Sequence, residues 1–272
     1  MEEIAFLTPE GRPATLQEDT ITNPIGSTPH YKIMFLLDIA RGLHDLHLLN
    51  IVHADLKPSN ILLFPHATGR ALAKISDFGF CQSIDEEDPA KGITPYWAAP
   101  ECLPEADEDM KQWRSSTYRD LFSFGLVIWY ILFEEGPFGD EENFDYATMA
   151  REKFEDSMKD KIDRQLPLSY RWFSQDPGLL EGSWLPKQAF EIIADGTQQE
   201  VEQELKSLND HILNGSIEEQ CRTPRKDWHK VKSIDGVYAI FQFIYFFLSF
   251  FLVKDPPLRV SLNFFIEMAS SE

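Results

Sequence analysis

Apolar residues recur at helical spacing along the first part of the chain. Ile33, Leu36, Leu37, Ala40 and Leu43 fall on one face, with Lys32, Asp38 and Arg41 off it. The spacing predicts a helix over about residues 28–49, capped by Ser27 or Thr28, with Pro29 in its first turn and Asn50 as its stop. Two short apolar runs, Ile61–Phe64 and Ala71–Ile75, flank His66-Ala67-Thr68-Gly69 and read as a β-hairpin. Residues 121–133 are uncharged and apolar on all sides and too short to span a bilayer easily, which predicts a core helix. Ser116 or Thr117 would cap it and Gly136-Pro137 would end it. Tyr146–Ile162 reads as a charged helix, residues 167–186 as loop, and Lys187–Leu213 as one or two helices with an acidic face. Val237–Val253 is a 17-residue apolar run containing eight Phe or Tyr residues. A membrane anchor would have this composition; a buried helix is the simpler reading. Residues 1–27, punctuated by Pro9, Gly11, Pro13, Pro24 and Gly26, read as a weakly structured lead-in.

Composition narrows the partners. A length of 272 residues with 43% hydrophobic content suffices for a sizeable core. A net charge of −20 argues against a nucleic-acid or anionic-membrane surface, both of which select basic patches. Cys81, Cys102 and Cys221 have no metal-type spacing and are too few for a disulfide framework, so a cytoplasmic setting is expected. The acidic start, with no long apolar run after it, carries no signal-peptide pattern.

The chemistry concentrates in His53-Ala54-Asp55-Leu56-Lys57-Pro58-Ser59-Asn60, between the first helix and the first hairpin strand. A carboxylate, a lysine and an amide lie within eight residues. A second acid follows the hairpin, in Ser76-Asp77-Phe78-Gly79. A carboxylate can accept a hydroxyl proton, a lysine can neutralise a transferring phosphoryl group, and oxygen donors from Asn and Asp can hold magnesium. A hairpin brings its ends together, so Asn60 and Asp77 are expected to share one cation.

The residues 53–60 resemble the catalytic loop of eukaryotic-type protein kinases, and Asp77-Phe78-Gly79 resembles their metal-binding triplet. Thr94-Pro95-Tyr96-Trp97-Ala98-Ala99-Pro100-Glu101 is similar to the end of their activation segment, Asp120-Leu121-Phe122-Ser123-Phe124-Gly125 to the start of their central helix, and Asp255-Pro256-Pro257-Leu258-Arg259 to their last helical element. The resemblance implies a mainly α fold with a small β-hairpin: the larger, C-terminal lobe of a serine/threonine kinase over residues 28–272, with an insertion around 145–235. Residues 1–27 would correspond to the connector between lobes.

Several roles follow from the resemblance alone. Asp55 would be the catalytic base, with Lys57 near the transferring phosphate; Asn60 and Asp77 would hold Mg2+ on ATP. Leu62, with Leu63, would belong to the face that meets the adenine and the smaller lobe. His53 and Phe78 would keep these groups in register by packing, and Gly79 would be structural. Thr94 would brace the catalytic loop, Asp120 would fasten its backbone, and Glu101 would pair with Arg259 in a buried ion pair. Tyr96 and Trp97 would simply pack. Hydroxyl groups of a protein substrate would be the acceptors.

Two departures modify these expectations. Ala54 stands where the family most often has an arginine that reads a phosphate on the activation segment, so no dependence on that phosphorylation is expected. No glycine-rich loop, strand lysine or partner glutamate precedes residue 28, so the smaller lobe is expected to be missing. The exposed nucleotide face would then call for a partner chain, or the chain would be a kinase-like scaffold without catalysis.

Overall fold

The computed structural model describes residues 12–18, 29–65, 71–84, 93–155, 158, 161, 248 and 250–269. The expected turn at 66–69, most of the region 145–235 beyond Glu155, and the front of the 237–253 run lie outside these residues.

Helix α1 spans Pro29–Leu48 and buries Phe35, Leu36, Leu37, Ile39, Ala40 and Leu43. It ends where expected: Asn50 takes up a left-handed conformation at φ 58°, which Asn tolerates because its short polar side chain lessens the penalty. The off-face residues are not merely solvated. The Asp38 carboxylate accepts from the N–H of Ala73, 3.2 Å away. Lys32 is buried; it pairs with Glu134 at 2.7 Å and donates to the Leu132 carbonyl at 3.2 Å. A cation there neutralises the carbonyl end of a neighbouring helix.

After β2 (Ile51–Val52), strands β3 (Ile61–Pro65) and β4 (Ala71–Ile75) pair antiparallel, with Ile61 opposite Ile75 and Pro65 opposite Ala71. The hairpin has a third strand that the lead-in reading omitted: Ala14–Thr15, β1, pairs with Leu62–Leu63. Leu16 then enters the core. Thr15-Leu16-Gln17-Glu18 is a capping box: Thr15 N–H donates to the Glu18 carboxylate at 2.8 Å, and Glu18 N–H donates to the Thr15 hydroxyl at 3.1 Å. A further short strand, β5 (Gln82–Ser83), pairs with β2.

Helix α2 (Glu108–Lys111) precedes α3 (Tyr118–Phe133), the core helix, in which Leu121–Trp129 are all buried. Two details differ from expectation. Thr117 occupies the cap position of α3 but its side chain makes no capping bond, because its own backbone is already helical at φ −62°, ψ −18°. The helix ends at Glu134, left-handed at φ 59°, two residues before Gly136. Phe124 meets Phe251 and Phe265 edge-on, at 5.2 and 5.6 Å between ring centres. Gly125 allows this approach, since a Cβ there would fall 2.8 Å from the Leu252 side chain.

Helix α4 covers Tyr146–Phe154, the front of the charged helix expected to reach Ile162, and α5 (Leu262–Ala269) packs against α1. Leu248, Phe250, Phe251 and Leu252 are buried, as a core segment would be. No helix among the described residues is long and apolar enough to cross a membrane.

Candidate active site

The site is built on the loop between β2 and β3, and the first turn of α3 holds that loop. The Asp120 carboxylate accepts from the backbone N–H groups of His53 (2.7 Å) and Ala54 (2.9 Å), and His47 Nε2 lies 3.0 Å from it. Burial alone would raise the Asp120 pKa; the His47 contact and the backbone donor hold it below the usual carboxylate value. Arg119 adds a bond to the Ala54 carbonyl at 3.0 Å. Ala54 is thereby held at φ 70°, a conformation that costs a non-glycine residue about 1–2 kcal/mol. His53, fully buried, donates from Nε2 to the Ser76 carbonyl at 3.0 Å, which leaves Nδ1 to accept from Asp55 N–H at 3.4 Å.

These bonds deliver Asp55, 4% exposed, into a closed polar cluster. The Thr94 hydroxyl donates to Oδ1 at 2.6 Å. On Oδ2, Lys57 lies at 2.8 Å and Asn60 Nδ2 at 3.1 Å. Lys57 also donates to the Thr94 hydroxyl at 2.9 Å. Asp55 therefore contacts Lys57, Asn60 and Thr94 at once, with Thr94 reaching in from 39 positions away.

The hairpin sets the second acid beside this cluster. Asn60 carbonyl accepts from both the N–H (2.8 Å) and the hydroxyl (2.9 Å) of Ser76, the residue before Asp77. Asp77 is exposed and left-handed at φ 59°, its carboxylate accepting from Gly79 N–H at 3.3 Å. Asn60 Nδ2 donates to the Asp55 carbonyl at 2.8 Å as well as to its side chain, so the amide oxygen is the atom left for a cation. Among the described residues no group of three or more His, Cys, Asp or Glu side chains could hold a metal ion. A two-donor set of Asn60 and Asp77 fits Mg2+, which is commonly bound through one or two protein oxygens with phosphates and water completing the shell.

Two expected packing or contact roles are not seen as such. Phe78 is 53% exposed; its ring touches His53 edge-on at 5.6 Å but is not enclosed. Leu63 is fully buried rather than on the nucleotide face, because alternation along β3 turns it to the core, while Leu62 is half-buried on the other side.

The segment after Thr94 is fixed from beneath. Glu101 and Arg259 form a fully buried pair, with Nη2 to Oε2 at 2.8 Å. Arg259 also donates to the carbonyls of Tyr118 (3.0 Å), Val253 (2.9 Å) and Lys254 (2.9 Å), which employs its whole fork of donors. Tyr96 and Trp97 are buried but not only packed. The Tyr96 hydroxyl donates to Gly139 carbonyl at 2.6 Å and accepts from Phe138 N–H, and the Trp97 indole donates to Glu141 at 2.9 Å. Burial pushes the Tyr96 pKa up to about 12. Gly136 is required here, since a Cβ would sit 2.0 Å from the Tyr96 hydroxyl.

Sequence reasoning missed His47, Arg119 and Lys153. His47 lies four residues after Leu43, so the periodic stripe contained its signal. Lys153 likewise lies four residues after the buried Met149, whereas Arg119 carries no such signal, and its partner, the Ala54 carbonyl, lies 65 positions away.

Three relatives share parts of this architecture's sequence. A protein of Acanthamoeba polyphaga mimivirus named as a serine/threonine-protein kinase/receptor is 40% identical over 113 residues, 40% of this chain and 6% of that protein. The rat serine/threonine-protein kinase DCLK1 is 28% identical over 180 residues, 61% of this chain and 40% of that protein. The Eremothecium gossypii serine/threonine-protein kinase CLA4 is 35% identical over 134 residues, 46% of this chain and 16% of that protein. The chain thus covers less than half the length of each. The family model described as the protein kinase domain matches residues 14–229, most of the sequence, and the chain belongs to that family.

Proposed function

We propose that this chain carries the catalytic face of a serine/threonine protein kinase, transferring the γ-phosphoryl group of ATP to a hydroxyl of a protein substrate. The contact set of Asp55 with Thr94, Lys57 and Asn60 carries this reading. Asp55 accepts the hydroxyl proton and aims its oxygen at phosphorus; for this the acceptor hydroxyl takes the place at Oδ1 that Thr94 now occupies. Lys57 balances negative charge beside the transferring group. Asn60 and Asp77 would hold Mg2+, whose charge offsets that of the phosphates. Leu62 would contribute apolar surface on the adenine side. Such a reaction relies on positioning and charge neutralisation, and a loop held by Asp120, His47 and Arg119 supplies the positioning.

Ala54 supports a further point. Its peptide is fixed by Asp120 and Arg119, so the loop is held without any phosphorylated residue. Activity is therefore independent of activation-segment phosphorylation, and phosphatase treatment should leave it unchanged. A partner chain covering the nucleotide face, and a cytoplasmic location, belong to the same proposal.

The test is transfer of labelled phosphate from Mg-ATP to a library of Ser- and Thr-containing peptides, with Asp55→Asn as the control. The substitution should lower transfer by about 10²–10⁴-fold, the usual worth of a positioned acid or base. Unchanged transfer in that variant overturns the role of Asp55. No transfer by the wild-type protein would leave a kinase-fold scaffold as the better description.

A further inference from the structure

Among the described residues, Leu48 (69% exposed), Leu49 (70%) and Ile84 (38%) are large apolar side chains that stand open to solvent. The fold brings them to one corner. The Asn50 carbonyl, next to Leu49, accepts from Ile84 N–H at 3.0 Å, and Ile51 stands opposite Ser83 in the β2–β5 pair. The end of α1 and the end of β5 therefore share one surface, behind the loop that carries Asp55. Apolar residues scattered singly over a surface are ordinary, whereas a contiguous group marks a contact face.

The charge around this face has one sign. Asp45, in the last turn but one of α1, has an 80% exposed side chain, with His44 Nδ1 3.9 Å from it. After Ile84 the chain runs directly into Asp85-Glu86-Glu87-Asp88. Residues 45–50 and 83–88 together hold five acids and no lysine or arginine. An isologous second copy would set these acids against their own equivalents, and an anionic membrane would be repelled in the same way. The face suits a segment that is apolar and basic together.

This chain contains such a segment outside the described residues. Arg222, Arg225, Lys226, Lys230 and Lys232 place five cations, with the single acid Asp227, in eleven residues of a chain whose net charge is −20. Trp228, Val231 and Ile234 recur among them every third residue. Reach is not limiting. Trp228 lies 20 positions before Leu248, which is buried in the same core as α1. Twenty residues can extend over roughly 66 Å, against about 30 Å for the whole of α1.

We propose that the corner formed by Leu48, Leu49 and Ile84 is an interaction surface for residues 222–234 of the same chain. The apolar side chains of that segment cover the leucines, and its cations meet Asp45 and the acids that follow Ile84. The proposal does not rest on the kinase reading.

The experiment treats the full chain with a water-soluble carbodiimide, which joins a lysine to a carboxylate in contact with it, and maps the links by mass spectrometry. An equal mixture of unlabelled and isotopically labelled protein separates links within a chain from links between chains. The expected links join Lys226, Lys230 or Lys232 to Asp45 or to residues 85–88 within one chain. Their yield should fall about tenfold in Leu48→Ser/Leu49→Ser, which removes the apolar share of the contact. If that variant does not fold, Trp228→Ser is read in the same way. Links spread evenly over acids elsewhere, a yield unchanged by the substitution, or no link at all overturns the proposal. Links between labelled and unlabelled chains assign the face to a second copy and also overturn it.

Discussion

The two acids of the site, 22 positions apart, are held very differently. Asp55 is buried and its carboxylate contacts Thr94, Lys57 and Asn60; the loop behind it is fastened by Asp120, Arg119 and His47. Asp77 is exposed, left-handed and bonded at 3.3 Å to Gly79, with Phe78 half open beside it. The half of the site proposed to handle the proton is pre-organised by the rest of this chain. The half proposed to hold the cation presents its carboxylate to solvent. Stability and chemistry should therefore separate: substitutions in the shell of Asp55 cost folding energy, and substitutions at Asp77 cost ligand binding.

The largest effect that tests this contrast lies in the deepest support. Arg259→Met strands a buried Glu101 and should cost about 3–5 kcal/mol in urea-induced unfolding. A loss under 1 kcal/mol would mean that the floor of the segment 94–101 is not rigid in the way the contrast requires. Asp120→Asn comes next. It removes the charge from two backbone bonds and should cost about 2–3 kcal/mol, with a parallel loss of phosphoryl transfer.

That substitution also has a pH signature. Asp120 titrates lower in the folded than in the unfolded chain. Its contribution to stability is thus fully present above the unfolded value, about 3.9, and is lost as pH falls through the folded value. The acid side of the stability curve should flatten in Asp120→Asn; an unchanged acid limb would remove the charge from the argument. Smallest in stability is Asp77→Asn, expected within about 0.5 kcal/mol of wild type because the side chain is exposed. The same variant should lose magnesium-dependent nucleotide affinity, measured by titration with Mg-ATP. Unchanged affinity would show that Asp77 is not a cation ligand.

Much of the fold was legible along the chain. The stop of α1 at Asn50, the hairpin register ends and the all-round burial of α3 rest on spacing and turn chemistry that act over a few residues. The capping box at Thr15 was equally local and equally readable, but β1 was not. A two-residue strand has too few positions to show alternation, and only the pairing of Ala14–Thr15 with β3 defines it. The ends of α3 misled for a related reason. Thr117 and Gly136 are good cap and stop residues by type, yet Thr117 is already helical, and Gly136 is needed for the approach of Tyr96.

By itself, the sequence determined that α1, the β3–β4 hairpin and α3 form and that Asp55, Lys57 and Asn60 share one loop, because amphipathic periodicity and short polar loops act locally. Only the tertiary structure decided that Lys32 and Lys153 are buried cations, that Leu63 faces inward and that Phe78 stays open. A cation in a charged stretch is read as solvated until packing brings carbonyls to it. The partners of Lys153, up to 58 positions away, are chosen by how helices and loops pack.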